Sequence, residues 1–127
     1  MRIFIGAVLL LGLAGCSSGL VVDDVEVPVL LSQSSHGDAF DQALISGELQ
    51  EVRGCYGIGE NVAVFPVGTT RTETGISLRD LGDVDLGETV EGGGGFSTVT
   101  QGDLAQYEVC GLEVGDEIIH LNPMDTN

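Results

Sequence analysis

The chain contains no lysine and no tryptophan, and its four basic residues are all arginine: Arg2, Arg53, Arg71 and Arg79. Without lysine it cannot complete a P-loop, so Gly92-Gly93-Gly94-Gly95 is not a phosphate cradle. That run reads instead as a bulge or sharp bend at a barrel edge. Without tryptophan there is no strong platform for stacking sugars. With so little positive charge, neither nucleic acid nor anionic lipid headgroups are partners through charge. His36 and His120 are the only histidines, too few for a zinc site with the thiols present. A hydrolase would need a base held against its nucleophile, and no G-x-S-x-G elbow occurs. Paired carboxylates for glycoside hydrolysis exist only because carboxylates are everywhere. Long apolar runs are equally scarce. Ile3 to Gly15 is the single one, and its 13 residues fall short of the ~17 to 25 needed to span a bilayer.

What is present begins with that segment. Met1-Arg2 followed by Ile3 to Gly15 has the layout of an export signal. Leu13-Ala14-Gly15-Cys16 resembles the bacterial lipobox, Leu-Ala/Ser-Gly/Ala-Cys, and stands where the lipobox belongs. The resemblance implies cleavage before Cys16 and a diacylglyceryl thioether on its sulfur, often with acylation of the new amine. Each buried methylene contributes ~0.8 kcal/mol, so two or three acyl chains anchor durably where one does not. An ordinary secretory signal with a chance cysteine is the alternative. The expected organisation is a signal peptide over residues 1–15, a lipidated tether or stalk over 16–42, a small β-barrel domain over 43–122 and a tail over 123–127. The expected address is the extracytoplasmic side of the cell envelope, at the periplasm or cell surface.

All twenty acidic residues follow Cys16. Against the three arginines of the mature part they give a formal charge of −17 before the termini are counted. Self-repulsion of this size destabilises a compact state at low salt. The composition suits a salt-rich habitat, where ions screen the repulsion. A cation-binding surface is the sharper reading. Its candidate ligands are Asp80, Asp83, Asp85 and Glu88, which could hold Ca²⁺ but do not follow the EF-hand spacing. A solvated acidic turn is the plainer account of them.

Pro28 argues against a helix in Leu20 to Ser35, which reads as an extended stalk or an outer strand. Asp38 could cap one or two helical turns reaching Leu44. From Ile45 the pattern turns to short strands. These are a first flanked by Leu49 and Val52, a second begun by Cys55, Tyr56 and Ile58 and continued by Val62–Val67 after Gly59-Glu60-Asn61, then Ile76–Arg79, two pieces within Val84–Val90 broken at Gly87-Glu88, Leu104–Leu112 and Ile118–Leu121. Short strands between glycine-rich turns predict an all-β fold, a five- to seven-stranded OB-like barrel or sandwich. The mature part has five aromatics, so Val, Leu and Ile must make most of the core.

With Cys16 lipidated, Cys55 and Cys110 remain as a pair. Export to an oxidising compartment favours a disulfide between them. A redox-active or metal-binding pair is the alternative. It lacks a C-x-x-C spacing and a nearby lysine or histidine to activate a thiol.

Ala43-Leu44-x-x-Gly47-x-Leu49, Gly54-Cys55-Tyr56, Val64-Phe65-Pro66-x-Gly68-Thr69, Leu86-Gly87-Glu88-x-Val90-x-Gly92-Gly93-Gly94 and the late Cys110 together resemble a family of small bacterial secreted or lipid-anchored domains. The family pattern runs Gly-x-Leu, Gly-Cys-Leu, Trp/Phe-Pro-x-Gly-Thr, Gly-Asp-x-Val and Gly-Gly-Gly. The resemblance covers residues 43 to 121 and departs at Tyr56, where leucine is usual. It implies a small β domain and a Cys55–Cys110 bridge, and it brings no activity or cofactor with it.

The function expected first is a non-catalytic envelope module meeting a protein or cell-wall partner. Its candidate surfaces are the barrel face around Phe65-Pro66 and a loop from Gly92 to Phe96. An extracytoplasmic Ca²⁺-binding protein comes second and a carboxylate-based hydrolase last.

Overall fold

The computed structural model describes residues 20–34, 43–79 and 81–122. Among them the order is β1 (Leu20–Asp23), β2 (Leu30–Gln33), β3 (Ala43–Val52), β4 (Cys55–Ile58), β5 (Asn61–Val64), β6 (Thr70–Arg71), β7 (Gly75–Leu78), β8 (Gly82–Asp85), β9 (Thr89–Thr98), α1 (Leu104–Tyr107) and β10 (Glu117–Asn122). Five of these strands close a barrel in the ring order β10-β5-β4-β3-β9. Counted along the chain, that is first-second-third-fifth-fourth, with third and fifth parallel and the other pairings antiparallel. This is the ring order of an OB-type barrel. The two-stranded sheet β1-β2 and the three-stranded sheet β6-β7-β8 are added to it.

Period-two alternation builds two cores from one wall. Ile45, Leu49, Tyr56, Ile58, Ala63, Phe65, Ile119 and Leu121 turn inward and fill the barrel, joined by Ile76, Leu78 and Val84 from β7 and β8. Their neighbours Cys55, Val62, Val64 and Ile118 turn outward and are also buried. They lie under Val29 and Leu31 from the N-terminal side and under Tyr107, Cys110 and Leu112 from the β9–β10 connection. All four residues of β4 are buried as a result.

The segment expected to be a stalk or lone outer strand is a hairpin, β1 against β2 in antiparallel register. Leu30 and Leu31 fall on opposite faces and enter the two cores. Residues 29–33 are stitched to the barrel through Val29 N–H to Gly54, Tyr56 N–H to Val29, Phe65 N–H to Leu31 and Gln33 N–H to Phe65, each to the carbonyl. The folded body thus reaches back to residue 20. Of the helical turn expected over Asp38 to Leu44, Ala43 and Leu44 are strand, and 38–42 lie outside the described residues.

Two further expectations are corrected. Leu104 to Leu112 is not a strand but α1 followed by a 3₁₀ turn at Glu108–Cys110. Its buried positions, Tyr107, Cys110 and Leu112, recur at two to three residues, and Leu104 joins them at one turn's distance. Thr100 and Asp103 start the helix, with the Asp103 N–H donating to the Thr100 carbonyl and the Thr100 hydroxyl to the Asp103 carboxylate. The second correction concerns Gly92 to Phe96, which lies inside β9 and is no loop. There Gly93 and Gly94 pair with β3 on one side and β10 on the other. A Cβ at Gly94 would stand 2.0 Å from the His120 carbonyl oxygen, so the crowded crossing admits only glycine.

Candidate functional site

An OB barrel ordinarily binds ligands on the outer face of its second and third strands, between the loops joining strands one to two and four to five. Here those strands are β4 and β5. Their outward side chains are covered by β2 and by the β9–β10 connection. Cys55 on β4 is bonded to Cys110 in that connection, with the Cα atoms 5.7 Å apart. The disulfide expected from the sequence is present, and it fastens the cover to the wall. Arg53 adds a second fastening, since its Nη1 donates to the Gly111 carbonyl and meets the Asp116 carboxylate at 3.2 Å. The Phe65-Pro66 surface proposed from the sequence is equally closed, because both residues are buried.

Arg71 is bound into the fold as well. It donates to the Pro28 carbonyl at 2.7 Å and to the Asp23 carbonyl at 2.9 Å, and pairs with the Asp23 carboxylate. That pairing lowers the Asp23 carboxyl below its ordinary value, mainly through the hydrogen bond from Arg71. The guanidinium also lies 5.9 Å from the Tyr56 ring centre. Both arginines serve structure at those positions.

Among the described residues an open groove of about 760 Å³ lies in the fork between β8 and β9. Leu44, Leu81, Val84 and Val90 line it with apolar surface, and Asp83, Glu88 and Glu91 bring carboxylates to it. Leu44 is 72 % exposed and Leu81 41 %. Among the described residues no basic side chain lines it. Period-two spacing explains the Leu44 exposure: Ile45 faces inward, so its neighbour on β3 faces out.

The acidic turn does not act as a unit. The Thr74 hydroxyl donates to the Asp85 carboxylate, and the Glu88 carboxylate accepts the Asp85 N–H at 2.9 Å. Asp83 and Glu88 lie on the groove and Asp85 does not. Among the described residues no group of three or more His, Cys, Asp or Glu side chains is arranged to hold a metal ion. Asp80, Cys16 and His36 lie outside the described residues.

One pairing escaped sequence reasoning. Ser97 Oγ stands 2.8 Å from His120 Nε2, across β9 and β10. The residues are 23 apart in sequence, and only the antiparallel register joins them. Burial pushes the His120 imidazole down, opposed by the nearby Asp103 charge. A neutral imidazole beside a hydroxyl is a nucleophile–base arrangement in principle. Neither the groove nor the smaller hollow beside Asn61 includes Ser97 or His120. Nearby, burial drives the Tyr107 phenol up to about 12, with Asp103 adding to the shift. Compared with protein-family models, with curated proteins and with solved structures, the chain matches none.

Proposed function

We propose that the chain is a lipid-anchored, non-catalytic module of the cell envelope that offers the groove between β8 and β9 to an envelope protein or cell-wall partner. Acyl chains on Cys16 hold it to the membrane, facing the extracytoplasmic side. The observation that carries the reading is the covered barrel face. With β2, α1 and the 3₁₀ turn seated on β4 and β5 and the Cys55–Cys110 bond holding the cover, ligand recognition moves to the exposed groove. The disulfide accords with an oxidising compartment, the address that the Cys16 motif implies. An enzyme reading gains little, because the Ser97–His120 pair is not part of the groove.

Two measurements test this. The intact mass of protein purified from its host membrane should correspond to loss of residues 1–15 and gain of acyl chains on Cys16. A photo-crosslinking residue in place of Leu44 should trap a neighbour in living cells. A chain that still starts at Met1, or no adduct from Leu44 or any other exposed position, would end the proposal.

A further inference from the structure

We infer that the groove takes an extended, cationic peptide segment, added as a strand to the outer edge of β8. This rests on the binding-module reading above and names the partner's chemistry. Two independent observations lead to it, one of charge and one of backbone.

Asp83, Glu88 and Glu91 face the groove, and among the described residues no basic side chain lines it. Among the described residues the arginines lie elsewhere, with Arg53 and Arg71 bound into the fold and the Arg79 side chain beside Gly68. A second copy would bring the same excess of carboxylates, so self-association through this face is opposed. Nucleic acid and anionic lipid are opposed for the same reason. The partner must carry the cations. It must also carry apolar side chains, because Leu44 and Leu81 stand exposed between the carboxylates.

β8 carries the backbone side of the groove. It pairs with β7 on one side, and among the described residues no strand pairs with the other. Its polarity alternates in a way that can be traced. The Val84 carbonyl faces Gly75 on β7, where an added Cβ would meet it at 2.0 Å. The Asp85 N–H points the opposite way and donates to the Glu88 carboxylate. Residues two apart share a side, so the Asp83 N–H and carbonyl point outward with that of Asp85. Glu88 takes both groups of Asp85, its N–H donating to the Asp85 carbonyl, so the outward edge beside the groove is the Asp83 pair, the unit that an added antiparallel strand engages. An added strand would set alternate side chains toward Leu44 and Leu81, and the others toward the carboxylates.

The probe is a blocked synthetic peptide, Lys-Val-Lys-Val-Lys, titrated by fluorescence anisotropy into the full chain in detergent. Binding should weaken about tenfold from about 50 to 500 mM salt, as the carboxylates are screened. Glu91→Lys and Leu44→Ser, both at exposed positions, should each weaken it about tenfold. A peptide N-methylated on alternate residues, which keeps its charges but loses its donors, should also weaken about tenfold. In the unaltered protein, amide shifts on titration should centre on Asp83 and Val84. Equal binding by the Glu-Val counterpart overturns the inference, and so does indifference to both variants or to N-methylation. If the peptide fails to bind while Leu44 still crosslinks a neighbour in cells, this inference falls and the binding-module reading stands. If crosslinking fails and the peptide binds, the groove's preference for a cationic strand stands and its role toward an envelope partner falls.

Discussion

Single residues here carry consequences out of proportion to their size. His120 sits on β10 with its ring partly buried and its Nε2 against Ser97, and burial holds its folded pKa below the ordinary value near 6.5. Between the folded value and 6.5 the unfolded chain binds more protons than the folded one. Stability contributed by neutral His120 is therefore complete above about 6.5 and declines as pH is lowered toward the folded value. Replacing His120 with Gln should flatten the urea midpoint across that window relative to the parent. Identical pH slopes in the two proteins would contradict the assignment. Gly94 is a second such position. Its missing Cβ lets the His120 carbonyl approach, and Gly94→Ala would place a carbon 2.0 Å from that oxygen. The expected loss is about 3 kcal/mol or more, read from urea unfolding, because backbone rather than a flexible side chain must shift. A loss under about 1 kcal/mol would mean that β9 and β10 part easily.

At the scale of elements, the β9–β10 connection decides what the barrel can do. Its helix and 3₁₀ turn press Tyr107, Cys110 and Leu112 onto the outward face of β4, β5 and β10. The Cys55–Cys110 bond spans 55 residues, a closure for which chain entropy gives about 4 kcal/mol. Reduction, or Cys55→Ala with Cys110→Ala, should lower the melting temperature markedly and raise amide exchange first in residues 99–116. Two alkylatable thiols in protein taken from its host would refute the bond. Part of this was legible in the sequence. The pairing of Cys55 with Cys110 followed from an even remainder of thiols, and the break at Gly87-Glu88 from its turn residues. The helix at Leu104–Tyr107 was not, because four residues make one turn and leave no periodicity to read. The glycine run misled for a related reason. Glycine marks a loop or a close approach equally well, and only the neighbouring strands show which.

Charge acts at the scale of the whole molecule. An excess of carboxylates with no lysine makes the compact state repel itself, and added salt screens this. The melting temperature should rise on going from about 0.05 to 1 M NaCl, by several degrees for a domain of this size. A melting temperature indifferent to salt would show that the carboxylates are too widely spread to matter. The same field sets the partner's sign, so salt should strengthen the fold while weakening the proposed peptide complex.

Alternation, composition and an even thiol count are local or additive properties, and they were enough to read the all-β class, the small aliphatic core and the acidic surface and to expect the disulfide. That residues 20–33 belong to the folded body, that Phe65-Pro66 is buried and that Ser97 meets His120 came with the closed fold. It also brought Leu44 and Leu81, 37 positions apart, to one groove with Asp83 and Glu91. The physical reason is ring closure. A barrel joins strands far apart in sequence through register, and register sets which side of each strand is covered and which meets solvent.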